Sequence, residues 1–469
     1  MKFWVMVLML SAFLAAQEIP TVVSTEKDRT GIALTVYNTD RAIILETRNA
    51  VFPAGLLHLN FADVPSGILP ETVAIKAVKG GTFQVLEQNY EYDLISPQKL
   101  LQKYVDRDVT LVQLVQDQNS TVQKRQTGKL LAVNDGTVWR IGDTIVSNPS
   151  YAWLEFPQVP ANLYARPTLV WLGQSRGGEA VVEASYMTRG MRWTCDYVLI
   201  LSQNEKSADL MGWVTLVNTS GTSYRDASLK LIAGDVNIVQ PAAPKRGFEE
   251  RAMVMAAAAP QFQEKAFFEY HMYTLQRKAT VADAQQKQIE LLHGEGVAPV
   301  KEYILEGQSW YYRQKYTSDA QKVRVVLRTD NTEKNHLGIP LPKGTVRVYQ
   351  RDSDQSLQFI GEDTIDHTPR DEPFSLSMGN AFDIAAERKQ SDFAVLGDCA
   401  YETEYTITLR NHKAEDIVVK VIEPLGGDWT MVRSSHPFEK TSSSSAEFHI
   451  PVPKNGETVL TYRVRTRSC

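Results

Sequence analysis

The sequence predicts a mainly β protein with several domains, built from immunoglobulin-like β-sandwiches with a small β-barrel inserted among them. Two observations predict this class: apolar and polar residues alternate along most of the chain, and turn residues separate the alternating runs. The length of 469 residues suits about three domains. The formal net charge of -5 lacks the basic excess of a general nucleic-acid-binding protein, and three cysteines exclude a disulfide-dense scaffold.

Residues 1–16 are predicted to form a signal peptide. Lys2 supplies a positive charge, an apolar run covers residues 3–14, and Ala15-Ala16 provides the small residues that signal peptidase requires. The run is too short for the ~20 apolar residues of a membrane-spanning helix. We therefore expect an exported protein, periplasmic or extracellular, with no membrane span after cleavage. Loss of the Lys2 charge changes the net charge from -5 to -6.

Residues 17–105 are predicted to form an N-terminal β region that ends in a short helix. Ile32, Leu34 and Val36 alternate with other residues, as in a strand with one buried face. Ser96-Pro97 provides an N-cap and a first-turn proline for the helix.

Residues 106–165 are predicted to form the small β-barrel. The alternating runs shorten there, and Asp135-Gly136 can supply the positive backbone angles of a tight hairpin turn between two of them. Short strands around one tight turn favour a small barrel over a large sheet.

Residues 166–370 are predicted to form a central β-sandwich region, and residues 371–469 a C-terminal immunoglobulin-like β-sandwich. Several strands end in an asparagine followed by polar residues and a new apolar run. Because asparagine tolerates the left-handed conformation and bonds its own backbone, these positions predict turns between antiparallel strands. The four asparagines are Asn38, Asn218, Asn331 and Asn411.

Residues 241–260 break the alternation within the central region. Prolines, charged residues and the run Ala256 to Ala259 replace it, which predicts a flexible excursion. A short helix that docks on a partner, with Met253 and Met255 on its apolar side, remains the alternative.

One motif invites a catalytic interpretation that its surroundings do not support. Residues 173–177 match the G-x-S-x-G pattern of serine hydrolases, which requires a helix after the serine. The residues from Ala180 to Tyr186 instead predict a strand that returns as the second arm of a hairpin. We therefore predict that Ser175 is not a nucleophile.

A cluster of carboxylates and imidazoles is the group of side chains that we would test for catalysis. Glu362, Asp363 and His367 follow a predicted strand closely, and His271 stands in an aromatic-rich segment. The eight histidines form no H-x-x-x-H or H-x-H pair, so we predict no metal site, and no cofactor is implied. Hydrogen bonding at turns and domain contacts is the competing interpretation of this cluster.

The cysteines fall into two groups. Trp193, Cys195 and Tyr197 share one face of a predicted strand, which makes Cys195 a core thiol. Cys399 and Cys469 either form a disulfide, which would close a loop of about 70 residues and contribute roughly 4 kcal/mol, or leave the terminal thiol free.

Five longer strings carry a resemblance to a known family, and they lie at residues 86–94, 212–221, 231–236, 341–349 and 361–369. On these strings the chain resembles an uncharacterised family of exported bacterial proteins with a domain of unknown function that also occurs in proteins similar to mucoidy inhibitor A. The resemblance implies a bacterial envelope location and a β-rich fold, and it implies no reaction, ligand or catalytic residue.

These observations predict an exported envelope protein that acts as a binding, interaction or structural module. Envelope proteins or glycans are the partners expected for exposed polar strand faces, and nucleic acid is not. The alternative is a periplasmic hydrolase that acts on a glycan or peptide through the carboxylate and histidine cluster.

Overall fold

A computed structural model describes residues 19–91, 93–117, 120–160, 163–234 and 261–467. The described chain is mainly β, with several multi-stranded sheets and one seven-residue helix, α1 (Pro97–Lys103), which confirms the predicted fold class. The predicted signal peptide and the excursion at 241–260 lie outside the described residues. No helix of the described part is long and apolar enough to cross a membrane.

In chain order, the first fourteen strands are β1 (Thr21–Ser24), β2 (Arg29–Tyr37), β3 (Ala42–Ala62), β4 (Ile68–Gly80), β5 (Gln84–Glu91), β6 (Asp108–Asp117), β7 (Ser120–Ala132), β8 (Val138–Ile141), β9 (Thr144–Ser147), β10 (Trp153–Glu155), β11 (Thr168–Thr188), β12 (Met191–Leu201), β13 (Ala208–Asn218) and β14 (Tyr224–Ala233). The remaining strands are β15 (Phe262–Phe267), β16 (Tyr270–Leu275), β17 (Ala279–Val281), β18 (Gln285–Val297), β19 (Val300–Glu306), β20 (Ser318–Asp330), β21 (Gly344–Arg351), β22 (Leu357–Ile365), β23 (Pro373–Gly397), β24 (Ala400–Asn411), β25 (Ile417–Pro424), β26 (Asp428–Ser434), β27 (Glu439–Ser442), β28 (Ser445–Val452) and β29 (Gly456–Arg467). Short 3-10 turns occupy Glu26–Asp28, Ser309–Tyr312 and Glu333–Asn335.

The chain divides into two compact units, each discontinuous in sequence. The N-terminal unit contains residues up to 192 together with 217–230 and 278–285. The C-terminal unit contains residues 193–216, 231–277 and 286–469. The predicted barrel segment thus falls in the first unit, and the predicted C-terminal sandwich falls in the second.

Two 21-residue strands form the centre of the N-terminal unit. β3 and β11 pair antiparallel along their whole length, from Ala62 opposite Thr168 to Ala42 opposite Thr188. The sheet order is β14-β2-β3-β11-β4, with β1 parallel beside β3, β17 beside β14 and β5 beside β11. Alternating apolar residues on these strands are buried, as the period-two pattern predicts for strands with one core face.

The segment predicted as a barrel is an open five-stranded sheet in the order β10-β6-β7-β8-β9, and no described strand closes it. Strands β8, β9 and β10 have only three or four residues each, so they offer little backbone for a closing pair. The helix covers one face instead. Tyr104, at the end of α1, packs edge-on against Phe156 over a small core around Trp139.

Three of the four strand-ending asparagines are buried and bond across a turn. The amide of Asn218 donates to the carbonyl oxygens of Thr222 and Ala282, and that of Asn411 to Glu415 and Pro453. Asn331 makes comparable bonds. None of the four asparagines has a positive φ, so the left-handed part of the prediction was wrong. The predicted bonding to the nearby backbone is present, since Asn218 accepts from the N–H of Ser220 and Asn411 from the N–H of Lys413. Their side chains replace missing ladder bonds at the strand ends.

The C-terminal unit contains two sheets and the hairpin β15–β16. The smaller sheet has the order β18-β13-β12-β21-β22, and the larger has β26-β29-β24-β23-β20-β19-β25-β28-β27. In the larger sheet, Phe448 on β28 stacks on Tyr462 on β29 with ring centroids 5.4 Å apart, although five strands separate them. The sheet therefore folds back on itself as a sandwich around one apolar core.

The prediction for Cys195 is confirmed. Its side chain is buried beside Trp193 and Tyr197, and burial raises the pKa of the thiol to about 12. A protonated, inaccessible thiol does not act as a nucleophile. The predicted disulfide between Cys399 and Cys469 lies outside the described residues because it requires Cys469.

Candidate functional site

The predicted carboxylates lie next to each other on β22, but their side chains make separate sets of bonds. Consecutive strand residues project to opposite faces of a sheet. Glu362 pairs with Arg347 across the neighbouring strand, with Oε2 3.4 Å from Nε. Asp363 accepts hydrogen bonds from the backbone N–H groups of Thr364 at 2.8 Å and Ser377 at 2.7 Å. Glu362 and Asp363 therefore bind different local partners and share none.

The two predicted histidines also have local partners. His367 Nδ1 lies 3.2 Å from the backbone nitrogen of Lys343, which donates to it. His271, on β16, lies with Nδ1 2.8 Å from Oε1 of Glu264 on the paired strand β15. Among the described residues, no group of three histidine, cysteine or acidic side chains could hold a metal ion. The hydrolase alternative stays a prediction without a catalytic arrangement to support it.

The G-x-S-x-G segment is part of a continuous strand. β11 runs from Thr168 through Ser175 to Thr188, so the predicted hairpin at this point was wrong. Gly177 and Gly178 have positive φ, but the register of the pairing to β3 is the same before and after them. Ser175 is buried, and its hydroxyl accepts a hydrogen bond from the N–H of Gly177. The prediction that a nucleophile elbow is absent agrees with this geometry.

The arginine stripe at the end of β29 is neutralised by carboxylates on neighbouring strands. Arg463 binds Asp392, Glu402 and Glu404 at 2.6–3.0 Å, and Arg465 also binds Glu402. Hydrogen bonds from Arg465 and Arg463 lower the pKa of Glu402. Burial raises the pKa of Glu404, but bonds from Arg433 and Arg463 bring it below its ordinary value. The charges of Arg463 and Arg465 are therefore balanced by carboxylates.

This network of ion pairs should make the stability of the folded protein depend on pH. A carboxyl group with a lowered pKa contributes stability above its unfolded pKa of about 4.3, and the contribution disappears as the pH falls through the lower folded pKa. We expect the paired substitution Glu402→Gln and Glu404→Gln to lower the melting temperature by about 2–4 °C at pH 7 and by less at pH 3. Circular dichroism melts of both proteins across this range test it, and an equal difference at both pH values would contradict it.

A cavity of the described chain lies between the two sheets of the C-terminal unit. It encloses about 240 Å³, and we call it the bulge pocket. Its floor is aliphatic, and charged side chains stand at its rim. The floor residues are Leu201, Val325, Leu327, Ile360, Met378 and Ile384. A mostly apolar pocket with a few polar groups is the usual form of a binding site.

Two β-bulges, one from each sheet, aim side chains at this pocket. On β22, Ile360 is an extra residue, because Val348 pairs with Gly361 and the next residue, Tyr349, pairs with Phe359. On β23, Ala385 pairs with Lys322 of β20, and Asn380 pairs with Arg324. Five residue steps on β23 therefore correspond to two on β20, so this bulge contains three extra residues. Bulges are frequent beside functional sites because they redirect side chains.

The larger bulge presents a phenylalanine entirely to solvent. Phe382 lines the mouth of the pocket and is 100% exposed, which is rare for so large an apolar side chain. Gly379, with a φ of +92°, lies next to the bulge in a conformation that favours glycine. On the other side, the N–H of His412 donates to the carbonyl oxygen of Asp383 at 2.8 Å and fixes the bulge.

The polar rim is built around Tyr303. The ammonium groups of Lys301 and Lys413 lie 5.6 and 5.5 Å from the centroid of its ring. Lys301 binds Glu205 at 2.6 Å, and Lys413 binds both the Tyr303 hydroxyl at 2.9 Å and Glu415 at 2.8 Å. Partial burial lowers the pKa of Lys413, but its bonds to Glu415 and Tyr303 raise it more, so this lysine stays charged.

Glu205 reaches the rim from a strained turn. Its φ is +57°, a left-handed conformation that costs a non-glycine residue about 1 kcal/mol or more. In this turn its carboxylate binds Lys301 and also lies 3.4 Å from the side-chain amide of Gln350. Backbone strain of this kind is common at functional sites.

Comparison with known proteins assigns the chain to no family. No protein-family model matches the chain, and no curated protein matches it significantly. The resemblance to the exported bacterial family therefore stays a prediction.

Proposed function

We propose that the chain is an exported envelope protein that acts as a binding module, and that the bulge pocket is its binding site. The fully exposed Phe382 at the mouth of an apolar pocket carries this proposal. An exposed aromatic side chain beside a desolvated pocket is the arrangement of a binding hot spot. Two bulges and a strained glutamate border the pocket, and such features are frequent at functional sites.

The binding function is favoured over the hydrolase because of what surrounds the acidic groups. A hydrolase needs an acid and a base that face one substrate position. Glu362 and Asp363 lie on opposite faces of one strand, and His271 pairs with Glu264 on a separate hairpin. The pocket rim contains lysines in ion pairs, and Lys413 has a raised pKa, so it is a poor general base.

A photo-crosslinking amino acid in place of Phe382 tests the proposal. The matched control replaces Phe268, which is 83% exposed on the β15–β16 hairpin away from the pocket lining. After irradiation of whole bacterial cells that export the full chain, we expect a discrete adduct, protein or glycan, from position 382 and none from position 268. Absence of an adduct, or equal adducts from both positions, would contradict a binding role for the pocket.

Fractionation of the same cells tests export separately. We expect the protein in the periplasm or medium, with its N-terminus at Gln17 by mass spectrometry, because residues 1–16 have the pattern of a signal peptide. A cytoplasmic protein that retains Met1 would contradict this part of the proposal.

A further inference from the structure

We propose that the occupant of the bulge pocket is an extended polypeptide segment that inserts one large apolar side chain beside a basic residue. This inference rests on the proposed binding function and names the class of partner. It follows from the size and chemistry of the pocket, from the strand that borders it, and from one charge at its rim.

The pocket fits one large side chain. Its volume of about 240 Å³ is small, and its floor consists of leucine, valine, isoleucine and methionine side chains. Met378 is adaptable, since its unbranched thioether can repack around different apolar groups. Burial of an apolar side chain here would remove both its own surface and that of Phe382 from water.

The same pocket is poorly equipped for a sugar. A glycan offers many hydroxyl groups, each of which loses a water partner on binding and needs a replacement. Lys301 and Lys413 already bind Glu205 and Glu415, and the hydroxyl of Tyr303 binds Lys413. The floor is aliphatic and provides no such partners, which leaves the carboxylate of Asp383 at the mouth as the one unpaired charged group of the described lining for many hydroxyls.

The start of an edge strand borders the pocket. β22 ends its sheet and pairs only with β21 among the described strands. Its second half lies against β23, where the N–H of Ser377 donates to Asp363, so the exposed part of the strand is its start. Near its start, Leu357 and Phe359 are 41% and 56% exposed, while the next residue, Ile360, lines the pocket. A peptide that pairs with this edge would place alternate side chains on the pocket side, which is the known mode of β-strand addition.

An unpaired charge at the rim predicts which peptide residue lies next to the inserted apolar side chain. Each rim lysine is balanced by a glutamate, whereas Asp383 is exposed and no described residue forms an ion pair with it. Asp383 directly follows Phe382 on the bulge, so its carboxylate stands at the pocket mouth. A lysine or arginine next to the inserted side chain would complement it.

Selection from a phage-displayed library of random twelve-residue peptides tests this inference on the full mature chain. We expect enriched peptides to share a large apolar residue next to lysine or arginine. An enriched peptide, labelled and measured by fluorescence anisotropy, should bind Phe382→Ala about 30-fold more weakly and the control Phe268→Ala equally well. Both substitutions affect exposed side chains, and circular dichroism melts verify folding.

Two further measurements separate the parts of the inference. Selection on Asp383→Lys should replace the basic neighbour by an acidic one, and methylation of the backbone nitrogens that face β22 should weaken binding about tenfold or more at alternate positions only. An unchanged motif on Asp383→Lys, or peptides that bind Phe382→Ala unchanged, would overturn the inference. If position 382 crosslinks a glycan while no peptide depends on Phe382, the proposed binding function stands and the peptide partner is wrong.

Discussion

Replacing Glu423 by leucine is expected to lower the free energy of unfolding of the C-terminal unit by about 3–5 kcal/mol. The side chains of Glu423 and Arg388 are completely buried and form an ion pair at 2.6 Å. The hydroxyl of Tyr312 also donates to this carboxylate, and Arg388 lies 3.3 Å from the hydroxyl of Tyr462. Without Glu423, the guanidinium would remain charged in an apolar core.

Arg388 cannot avoid the cost of its buried charge by losing a proton. Burial lowers the pKa of Arg388, but the Glu423 carboxylate raises it more, and it lies above the ordinary value in the native protein. Even without the carboxylate, an arginine keeps its proton at any pH where the protein folds. The full cost of an unpaired buried charge therefore falls on the folded state.

Urea denaturation of three variants checks this first prediction. The double substitution Arg388→Met with Glu423→Leu removes both charges and should be close to wild type, because apolar groups of similar size replace the pair. Glu306→Gln breaks an exposed ion pair, in which the side chain of Arg324 is 45% exposed and that of Glu306 is 55% exposed. This substitution should lower the free energy of unfolding by less than about 1 kcal/mol. A double variant as unstable as Glu423→Leu alone would contradict the explanation.

The β-rich fold could be predicted because period-two alternation follows directly from strand geometry. Trp193, Cys195 and Tyr197 alternate with polar residues and are buried on one face, as their spacing requires. The same reasoning failed at β11, where Gly177 and Gly178 suggested a turn. Their positive φ values do not end the strand, because β3 pairs with β11 in the same register on both sides of them.

The candidate site could not be predicted from alternation, since bulges interrupt it. Strict alternation from Leu376 through Phe382 to Ile384 would place all three on the buried face. Leu376 and Ile384 are buried, whereas Phe382 is fully exposed because the three extra residues of the bulge change the direction of its side chain. Gly379 is the residue that could have indicated the bulge, since glycine within a strand often marks one.

Replacing Glu46 by leucine is the second prediction of large effect, and it concerns the N-terminal unit. Glu46 is buried and accepts hydrogen bonds from Arg29 at 2.8 Å, from Arg48 at 3.2 Å and from the hydroxyl of Tyr186 at 2.9 Å. The Arg48 side chain is also completely buried, with its guanidinium 3.5 Å from the centroid of Phe61. Leucine would leave two arginines near each other without a carboxylate. We expect a loss of about 3–5 kcal/mol or more.

This loss should have a local signature at the edge of the sheet. Arg48 also donates to the carbonyl oxygen of Ser24 at 3.1 Å and to that of Ala62 at 2.8 Å, and so connects β1 to the end of β3. If the arginine shifts when Glu46 is absent, hydrogen exchange at residues 21–24 should accelerate more than at the paired residues of β3 and β11. Glu183→Gln, which breaks the pair between the half-buried Glu183 and the exposed Lys76 on the same sheet, is the matched control. Exchange in β1 that is unchanged by Glu46→Leu, or accelerated equally by the control, would show that the buried carboxylate does not hold this strand.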